Sequence, residues 1–483
     1  MTDETHVNRE DPAPLLRRTA ELAGEFLRSL PERPVRVEGD VAELRAALCG
    51  PLPEKGEHPI SVIETLARDA GPGIMPTAGP LYFGFVIGGS LPAAVAADWL
   101  TSAWDQNAGL YAAGPAASVV EEAVGAWLID LFGLPQSSSY GLVTGCQMAN
   151  FTCLAAARHA VLAAAGWNVE SDGLFGAPPI DVIVGAEAHP TLLAALQYLG
   201  LGRDRVHVVP TDLQGRMRGD AFAATLEGIS AGAPLIVCLQ AGNADSGAFD
   251  PLAEVIDRTH ERPGSWVHVD GAFGLWARVS PQTASLVEGV ERADSWASDA
   301  HKWLNVPYDS GLAFVGQPVA HAEALSLPHA PYLPNATVAQ RDQSRWVPEL
   351  SRRARGFAIY AALRSLGREG VRAMIERGCA VARRIAAGLA AAPNVEILND
   401  VVLNQVLVRF TVPGGDGAAA DALTGRVVHE VQQEGTIWLG ATRWHDVGAI
   451  RISVSNWATG QPEAELAVDA ILRAAERARA WLS

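Results

Sequence analysis

Lysine is almost absent from this chain of 483 residues, although basic residues as a group are not. The chain has 37 lysines and arginines together, and only Lys55 and Lys302 are lysines. Any chemistry that needs a primary amine on a side chain therefore has two candidate residues. Because arginine carries the other positive charges, a lysine at a strand-end loop calls for a specific reason.

Cysteine, positive charge and long apolar runs are also scarce. The five cysteines are widely spaced and form no CxxC pair, which argues against a disulfide framework or a structural zinc site. A net charge of −17 without a basic stripe argues against a nucleic-acid partner. Apolar runs are too short to span a bilayer, and the charged N-terminus lacks the apolar segment of a signal peptide. We therefore expect a cytoplasmic protein without a metal site or a membrane partner.

The composition, 49% hydrophobic and 19% charged, predicts a folded chain of two or three domains. Helical spacing of apolar residues predicts an N-terminal helical arm over residues 1–75. The Gly/Pro-rich stretch Gly71–Gly79 separates this arm from the body of the protein. We predict a large domain over residues 76–350 and a smaller α+β domain over residues 351–483.

The large domain alternates short apolar runs with helical patterns. The predicted strands are Asp181–Gly185, Val206–Val209, Leu235–Gln240, Trp266–Asp270 and Gly311–Val315. Such alternation is typical of an α/β fold whose mainly parallel sheet is covered by helices on both faces.

Ligands of such folds bind at the carboxyl ends of the strands, so the residues after each strand are the candidate sites. Thr144–Asn150 places small residues before a helix, where free backbone N–H groups suit a phosphate, although an ordinary helix N-cap has the same pattern. His189 follows a predicted strand and could stack on a flat ligand or move protons, or it is a structural loop histidine.

Two charged residues extend this series. Asp270 ends a buried strand, where a carboxylate needs a cationic partner or serves as a cap. Lys302 lies between His301 and Trp303, and this apolar, aromatic setting predicts a depressed pKa and a Schiff-base lysine rather than a surface lysine. A phosphate cradle, a stacking histidine, a strand-end aspartate and such a lysine are together the parts of a pyridoxal phosphate (PLP) enzyme.

The chain resembles the group II PLP-dependent decarboxylases, which include aromatic-L-amino-acid and glutamate decarboxylases. The most specific match is Asp294-Ser295 followed by Asp299–Leu304, which is similar to the signature D-S-x(3)-[ND]-x-H-K-W-L. Further similar segments are Gly79–Phe85, Pro115–Glu121, Ala188–Thr191, Gly242–Pro251, Asp270–Gly274 and Ser351–Arg355.

The resemblance implies fold type I with a seven-stranded sheet, a homodimer with a shared active site, and PLP bound by a Schiff base to Lys302. Asp270 would pair with the ring nitrogen, while His189 and Ala272 would lie on opposite faces of the ring and Asn243 near it. The residues implied at the phosphate end are Gly145, Cys146, Gln147, Asp299 and His301. The candidate substrate residues are Tyr82, Phe83 and Arg451.

One departure from the family concerns the reaction. The family carries a proton-donating tyrosine on a mobile loop, but the corresponding stretch Asn335–Trp346 has no tyrosine and places Gln343 at that position. The nearby Tyr332 is assigned to a separate P-x-Y-L element. The leading interpretation is decarboxylation of an L-amino acid, with aromatic ones as candidates, to an amine and CO₂. Aldehyde formation, transamination, other Cα chemistry and a non-catalytic PLP-binding protein remain alternatives.

Overall fold

The computed structural model describes residues 11–327 and 340–482, and its centre is a seven-stranded sheet. The strands are β1 (Ser139–Val143), β2 (Asp181–Gly185), β3 (His207–Val209), β4 (Leu235–Gln240), β5 (Trp266–Asp270), β6 (Ser295–Asp299) and β7 (Gly311–Val315). Their order across the sheet is β1-β7-β6-β5-β4-β2-β3. Strands β2 to β6 pair in parallel, whereas β7 runs antiparallel to both of its neighbours. The predicted α/β fold with a mainly parallel sheet is confirmed.

The five strands predicted from apolar runs are all present, and β1 and β6 complete the sheet. These two strands have the sequences SYGLV and SWASD, in which small and polar residues interrupt the apolar pattern. Every residue in both strands is nevertheless buried. Polar atoms in them are paired inside the protein, as Ser295 Oγ accepts a hydrogen bond from Trp266 Nε1 at 2.9 Å.

Helices cover both faces of this sheet. The helices are α1 (Ala13–Ser29), α2 (Val41–Leu48), α3 (Pro59–Ala70), α4 (Pro92–Trp104), α5 (Pro115–Phe132), α6 (Cys146–Ala164), α7 (Val169–Asp172), α8 (Pro190–Tyr198), α9 (Gly219–Glu227), α10 (Leu252–His260), α11 (Pro318–Leu325), α12 (Gly356–Ala390), α13 (Gly417–Glu434) and α14 (Gln461–Leu482). Helices α6, α8 and α11 pack on one face, and α5, α9, α10 and the first part of α12 contribute to the core on the other.

Strand β4 shows how the sequence builds the two cores. Leu235, Val237 and Leu239 join one core, while Ile236 and Cys238 join the other. This period of two follows from the strand pleat, which points successive side chains to opposite faces. A parallel strand buried on both faces therefore appears in the sequence as a continuous apolar run.

A second, antiparallel sheet forms the centre of the C-terminal part. Its strands are β8 (Val395–Ile397), β9 (Gln405–Phe410), β10 (Gly440–Trp444) and β11 (Val447–Ser453), in the order β10-β11-β9-β8. Helices α13 and α14 and the second part of α12 pack in the core beside it. Helix α12 bends at Gly367, which has φ = 60°. Its buried residues as far as Cys379 join a core of the large sheet, and those from Val381 onward join the core of the second sheet.

The N-terminal helices α1, α2 and α3 contain no buried residue. The division into an arm (1–75), a large domain (76–350) and a small domain (351–483) stays a proposal, because α12 connects the cores of the last two. Within residues 11–327 and 340–482, no helix combines the length and the apolar content required to cross a membrane.

Candidate active site

Four polar segments meet at the carboxyl edge of the large sheet. They follow β1, β2, β5 and β6 and contain Gly145, His189, Asp270 and Lys302. His189 and Asp270 line one cleft between β2, β4 and β5. Cys146 connects Asp270 to the other segments, because its thiol lies 3.4 Å from Asp270 Oδ1 and its N–H lies 2.6 Å from Asp299 Oδ1. Asp299 in turn pairs with Lys302 Nζ at 2.9 Å. The structure thus gathers the four candidate segments at one edge.

Lys302 lies three residues beyond the end of β6, with its side chain about one-fifth exposed. Its Nζ forms an ion pair with Asp299 Oδ2 at 2.9 Å. Burial disfavours the charged amine, but the charge of Asp299 outweighs burial and raises the pKa of Lys302 above its ordinary value. The predicted depression of this pKa is therefore wrong for the protein as described, because a carboxylate within contact distance reverses the effect of the apolar neighbours.

Helix α6 begins directly after Gly145, which has no side-chain cap, so backbone amides of the first turn face the sheet edge. The Cys146 N–H donates to Asp299 Oδ1 at 2.6 Å. Beside it, Gly311 at the start of β7 pairs with both Val143 and Asp299. A Cβ on Gly311 would come within 2.5 Å of the Gly145 backbone. The absence of a side chain therefore allows the close approach that a phosphate loop requires.

Asp270 ends β5 and is only 5% exposed. Its Oδ1 accepts from the Ala272 N–H at 3.2 Å and from the Cys146 thiol at 3.4 Å, and its Oδ2 accepts from Asn150 Nδ2 at 3.0 Å. Burial raises the pKa of the Cys146 thiol well above its ordinary value, so the thiol keeps the proton that it donates. All three neighbouring groups therefore act as donors to this carboxylate.

His189 is the N-cap residue of α8 as well as a lining residue of the cleft. Its Nδ1 accepts from the Thr191 N–H at 3.3 Å and lies 2.7 Å from Thr191 Oγ1. These contacts leave the ring proton on Nε2, and burial lowers the pKa of His189 so that the neutral imidazole is favoured. The cap therefore fixes the orientation of a flat ring at the cleft. His189 can thus be both a structural residue of its loop and a residue that stacks on a flat ligand.

The other predicted cofactor residues are placed around these groups. His301 is buried, with Nε2 3.5 Å from Asp299 Oδ1, and its ring stacks on Tyr308 at a centroid distance of 4.2 Å. Ala272 follows Asp270 directly, and Gln147 is partly buried in the first turn of α6. Their roles toward the cofactor stay predictions.

Asn243 uses its side chain within its own loop. Its Oδ1 accepts from the backbone N–H groups of Asp245 at 2.8 Å and Ser246 at 3.0 Å, and its Nδ2 donates to Gln240 Oε1 at 3.1 Å. These contacts stabilise the turn after β4. The position of Asn243 near the cofactor ring stays a prediction.

The three candidate substrate residues belong to the part of the protein around the second sheet. Tyr82 and Phe83 are buried, Tyr82 stacks on Trp438 at a centroid distance of 4.9 Å, and the Phe83 N–H donates to the Trp438 carbonyl at 2.8 Å. Arg451 lies in β11, where its Nη1 is 3.4 Å from Asp245 Oδ1, and Asp245 follows β4 of the large sheet. The charges of Arg451 and Asp245 both affect the pKa of His189.

Gln343 is fully buried in a short 3₁₀ turn, where its Oε1 accepts from Arg341 Nε at 2.8 Å. Tyr332 and the first part of the predicted loop, residues 335–339, lie outside the described residues. At Gln343, which the sequence predicts to take the position of the family tyrosine, the structure has a buried amide bound to Arg341.

Sequence reasoning missed the contacts of two residues at this edge. Asn150 contacts Asp270 from one turn inside α6, where it is fully buried, and no pattern in the sequence separates it from the other polar residues of that helix. Trp438 stacks on Tyr82 from a segment distant in the sequence, and no local pattern indicates that contact.

The residues present fit PLP. An amine at Lys302, the amide end of α6 and a carboxylate at Asp270 match the aldehyde, phosphate and ring nitrogen of that molecule. The glycine pair Gly145 and Gly311 leaves the backbone accessible where an anion would bind.

Comparisons with known proteins agree with this geometry. A family model, the pyridoxal-dependent decarboxylase conserved domain, matches residues 43–411. An aromatic-L-amino-acid decarboxylase of Bacillus atrophaeus is 26% identical over 464 residues, covering 94% of this chain and 94% of the relative. A phenylacetaldehyde synthase of Petunia hybrida is 23% identical over 463 residues, covering 92% and 90%. The crystal structure of Oryza sativa TDC with PLP and tryptamine superposes with a TM-score of 0.89 at 23% identity, covering 98% and 99%.

The fold and the site thus define a PLP-dependent enzyme of fold type I. The chain belongs to the pyridoxal-dependent decarboxylase family, as the resemblance of its motifs implied. It is accordingly a PLP-dependent carboxy-lyase that acts on an amino acid.

Proposed function

We propose that this enzyme decarboxylates an aromatic L-amino acid to the amine and CO₂, with Lys302, Asp270 and His189 as its catalytic residues. The observation that carries the proposal is the position of Lys302, one of two lysines in the chain, at the edge where Asp270 and His189 line a cleft. An amine kept at this position in an arginine-rich chain suits a covalent link that a guanidinium cannot make.

Each residue has a defined task in this proposal. When bound, PLP supplies an electron sink for the pair left by the broken Cα–carboxylate bond. Lys302 supplies the amine that holds the cofactor, and Asp299 keeps that amine in place at 2.9 Å. The Asp270 carboxylate would pair with the ring nitrogen, and His189 would offer a flat ring fixed by Thr191. The first turn of α6 would hold the phosphate through its amides.

An aromatic substrate is supported by the aromatic side chains of the segment that passes Lys302. Tyr82 and Phe85 flank Trp438 at centroid distances of 4.9 and 5.2 Å, and the ring of Phe85 is exposed. The same segment passes Lys302, since a Cβ on Gly88 would lie 1.9 Å from the Lys302 carbonyl oxygen. Exposed aromatic surface of this kind suits a substrate ring.

The local charges also favour an uncharged side chain. A substrate with a second carboxylate needs a cation free to bind it, yet Lys302 is paired with Asp299 and Arg451 with Asp245. A carboxylate bound there would have to displace an existing partner, which is costly in a partly buried site.

A homodimer with a shared site is part of the proposal. Large apolar side chains remain exposed on one chain, on the arm at Leu16 and Leu66 and on α4 at Trp99, Leu100 and Trp104. Apolar surface of this extent is typical of an interface, and a second copy would cover the arm. A cytoplasmic location fits the cysteines, which are all free thiols.

Gln343 favours a second candidate, the formation of an aldehyde. An amide cannot donate the proton that completes an amine, and neutral His189 is a weak acid. The same site would then convert the amino acid, dioxygen and water to an aldehyde, CO₂, ammonia and hydrogen peroxide. A phenylacetaldehyde synthase among the relatives gives this candidate its support.

The test uses the purified protein supplied with PLP. Each of tryptophan, tyrosine, phenylalanine, glutamate and 2,4-diaminobutyrate is added, and the amine, aldehyde, CO₂ and hydrogen peroxide are quantified by mass spectrometry and a peroxide assay. Amine from the aromatic amino acids alone supports the first proposal, whereas aldehyde with equimolar peroxide supports the second. Turnover of glutamate alone contradicts the aromatic assignment.

The two lysines supply a matched pair of variants. Lys302→Ala should abolish the visible absorbance of the bound cofactor and all product, whereas Lys55→Ala, in the exposed arm, should change neither. Normal absorbance and turnover in Lys302→Ala would refute the assignment of this residue.

A further inference from the structure

A chain of four hydrogen bonds leads from Asp270 into the interior of the sheet. Asn150 Nδ2 lies 3.0 Å from Asp270 Oδ2, and Asn150 Oδ1 lies 2.9 Å from His268 Nε2. His268 Nδ1 lies 2.9 Å from Ser295 Oγ, and Trp266 Nε1 donates to the same oxygen at 2.9 Å. Trp266, His268 and Asp270 are alternate residues of β5, so their side chains point to one face of the strand.

The chemistry of the two ends fixes the direction of every bond. An ionised carboxylate only accepts, so Asn150 turns its Nδ2 toward Asp270 and its Oδ1 toward His268. His268 must then donate from Nε2, which leaves Nδ1 as the acceptor for the Ser295 hydroxyl. The indole of Trp266 can only donate, and it closes the far end of the chain. All four donors therefore point toward Asp270.

His268 is neutral within this chain. It is fully buried, and burial lowers its pKa to about 4, so at neutral pH it carries one ring proton. The other titratable or charged side chains around Asp270 are Cys146, Cys153, His189, Cys238, Asp299 and Lys302. Of these only Cys153 adjoins the chain, at Ser295, and burial raises the pKa of its thiol, so it stays neutral. None of them replaces a donor or an acceptor in the four bonds that connect Trp266 to Asp270.

We propose that His268 and Asn150 are positioning residues that keep the proton between Asp270 and the cofactor on the ring nitrogen. The proposal rests on the role of Asp270 given under the proposed function. A carboxylate that accepts polarised hydrogen bonds is a weaker base, so it leaves the proton on its partner. A chain that ends at a pure donor holds this polarity, because no proton can leave through Trp266.

The chain also supports the position of Asp270. A strand-end carboxylate without the Asn150 contact would keep only the Ala272 and Cys146 donors, both of which contact the other oxygen, Oδ1. Asn150 thus holds Oδ2, and His268 holds the Asn150 amide in the orientation that donates.

The experiment reads the ring nitrogen directly. The protein without cofactor is reconstituted with PLP labelled with nitrogen-15 at the ring, and its NMR shift is followed against pH. We expect a protonated ring nitrogen in the wild type and in His268→Gln, whose amide can still donate to Asn150. In His268→Leu and Asn150→Ala the shift should move toward the unprotonated form, and PLP should bind about tenfold more weakly, since each loses a hydrogen bond on the path to a charged group.

Ser295→Ala provides a milder variant and Ser139→Ala its matched control. Ser139 lies in β1, and its Oγ is 2.8 Å from Nδ1 of the buried His321. Ser139→Ala therefore removes a similar buried hydrogen bond, but one that does not lead to Asp270. We expect Ser295→Ala to shift the nitrogen signal in the same direction as His268→Leu and Ser139→Ala to leave it unchanged.

The outcomes separate the two proposals. A wild-type protein that takes up no PLP overturns the proposed function and the positioning role with it. A wild type with a protonated ring nitrogen, and equal signals in His268→Leu, Asn150→Ala and Ser295→Ala, overturns the positioning role alone. An equal shift in Ser139→Ala also overturns it, because the effect would then be general loss of packing.

Discussion

Arg352 and Glu121 form a buried ion pair whose removal should be among the most destabilising changes in the protein. Their side chains are each 1% exposed, with Nη1 to Oε2 at 2.8 Å and Nη2 to Oε1 at 3.2 Å. Arg352 also donates to the carbonyls of Ala108 and Leu142. The pair therefore joins the segment before α12 to α5 and to β1, the strand that leads to the phosphate loop.

The neighbouring Arg353 provides the contrast. It pairs with Asp98 at 2.7 Å, but the two side chains are 37% and 29% exposed. Glu121→Gln leaves a buried guanidinium without a counter-charge, for which about 3–5 kcal/mol is expected. Asp98→Asn breaks a hydrated pair, for which the expected cost is under about 1 kcal/mol.

Thermal unfolding followed by circular dichroism measures the difference. At roughly 2 °C per kcal/mol for domains of this size, Glu121→Gln should lower Tm by about 6–10 °C and Asp98→Asn by about 2 °C or less. The double variant Glu121→Leu with Arg352→Met should recover most of the loss, because the uncompensated charge is gone. Equal small losses in both single variants would refute the reasoning from burial.

Two further changes test other parts of the structure. Burial lowers the pKa of His321 to about 3, below the unfolded value near 6.5, so the unfolded chain takes up the proton first. The contribution of neutral His321 to the free energy of unfolding is therefore fully present above about pH 6.5. It is lost as the pH falls toward 3, by roughly 4–5 kcal/mol in all. The midpoint of urea unfolding should therefore fall with pH less steeply in His321→Gln than in the wild type, and parallel curves would contradict the argument. Gly88→Ala places a Cβ 1.9 Å from the Lys302 carbonyl oxygen, whereas Gly50→Ala meets nothing within 4 Å. We expect Gly88→Ala to cost ~1–3 kcal/mol and to reduce PLP content, as measured by absorbance of the purified protein, while Gly50→Ala changes neither.

The strands that the sequence revealed are those in which most residues are apolar. β2, β4, β5 and β7 have the predicted bounds, because each contains at least three apolar residues between breaks, although β5 also buries His268 and Asp270. β6 escaped prediction because its two serines and its aspartate appear solvent-exposed in a local pattern. Their partners, such as Trp266 for Ser295, lie in other strands and become neighbours only after folding.

The site shows the same division. Lys302, Asp270 and His189 are recognisable because each follows a strand within a motif of specific spacing. The ionic state of Lys302 was not predictable from its apolar neighbours, because it depends on the rotamer that brings Asp299 within 2.9 Å. The contact between Asn150 and Asp270 was not predictable either, because only the packing of α6 on the sheet brings the two side chains together.

Gly311 has a consequence for which molecules the site can hold. The strands that carry the two ends of the site, β1 and β6, do not touch, because β7 lies between them. Two interstrand spacings, about 10 Å in all, therefore separate their backbones. Gly311, which has no side chain, lets the Gly145 backbone approach β7, and this brings the two sides of the site together. The single carboxylate of Asp299 then contacts both the Lys302 amine, at 2.9 Å, and the Cys146 N–H, at 2.6 Å. A molecule that binds to this amine and to the first amide of α6 must therefore compete with a carboxylate of the protein itself.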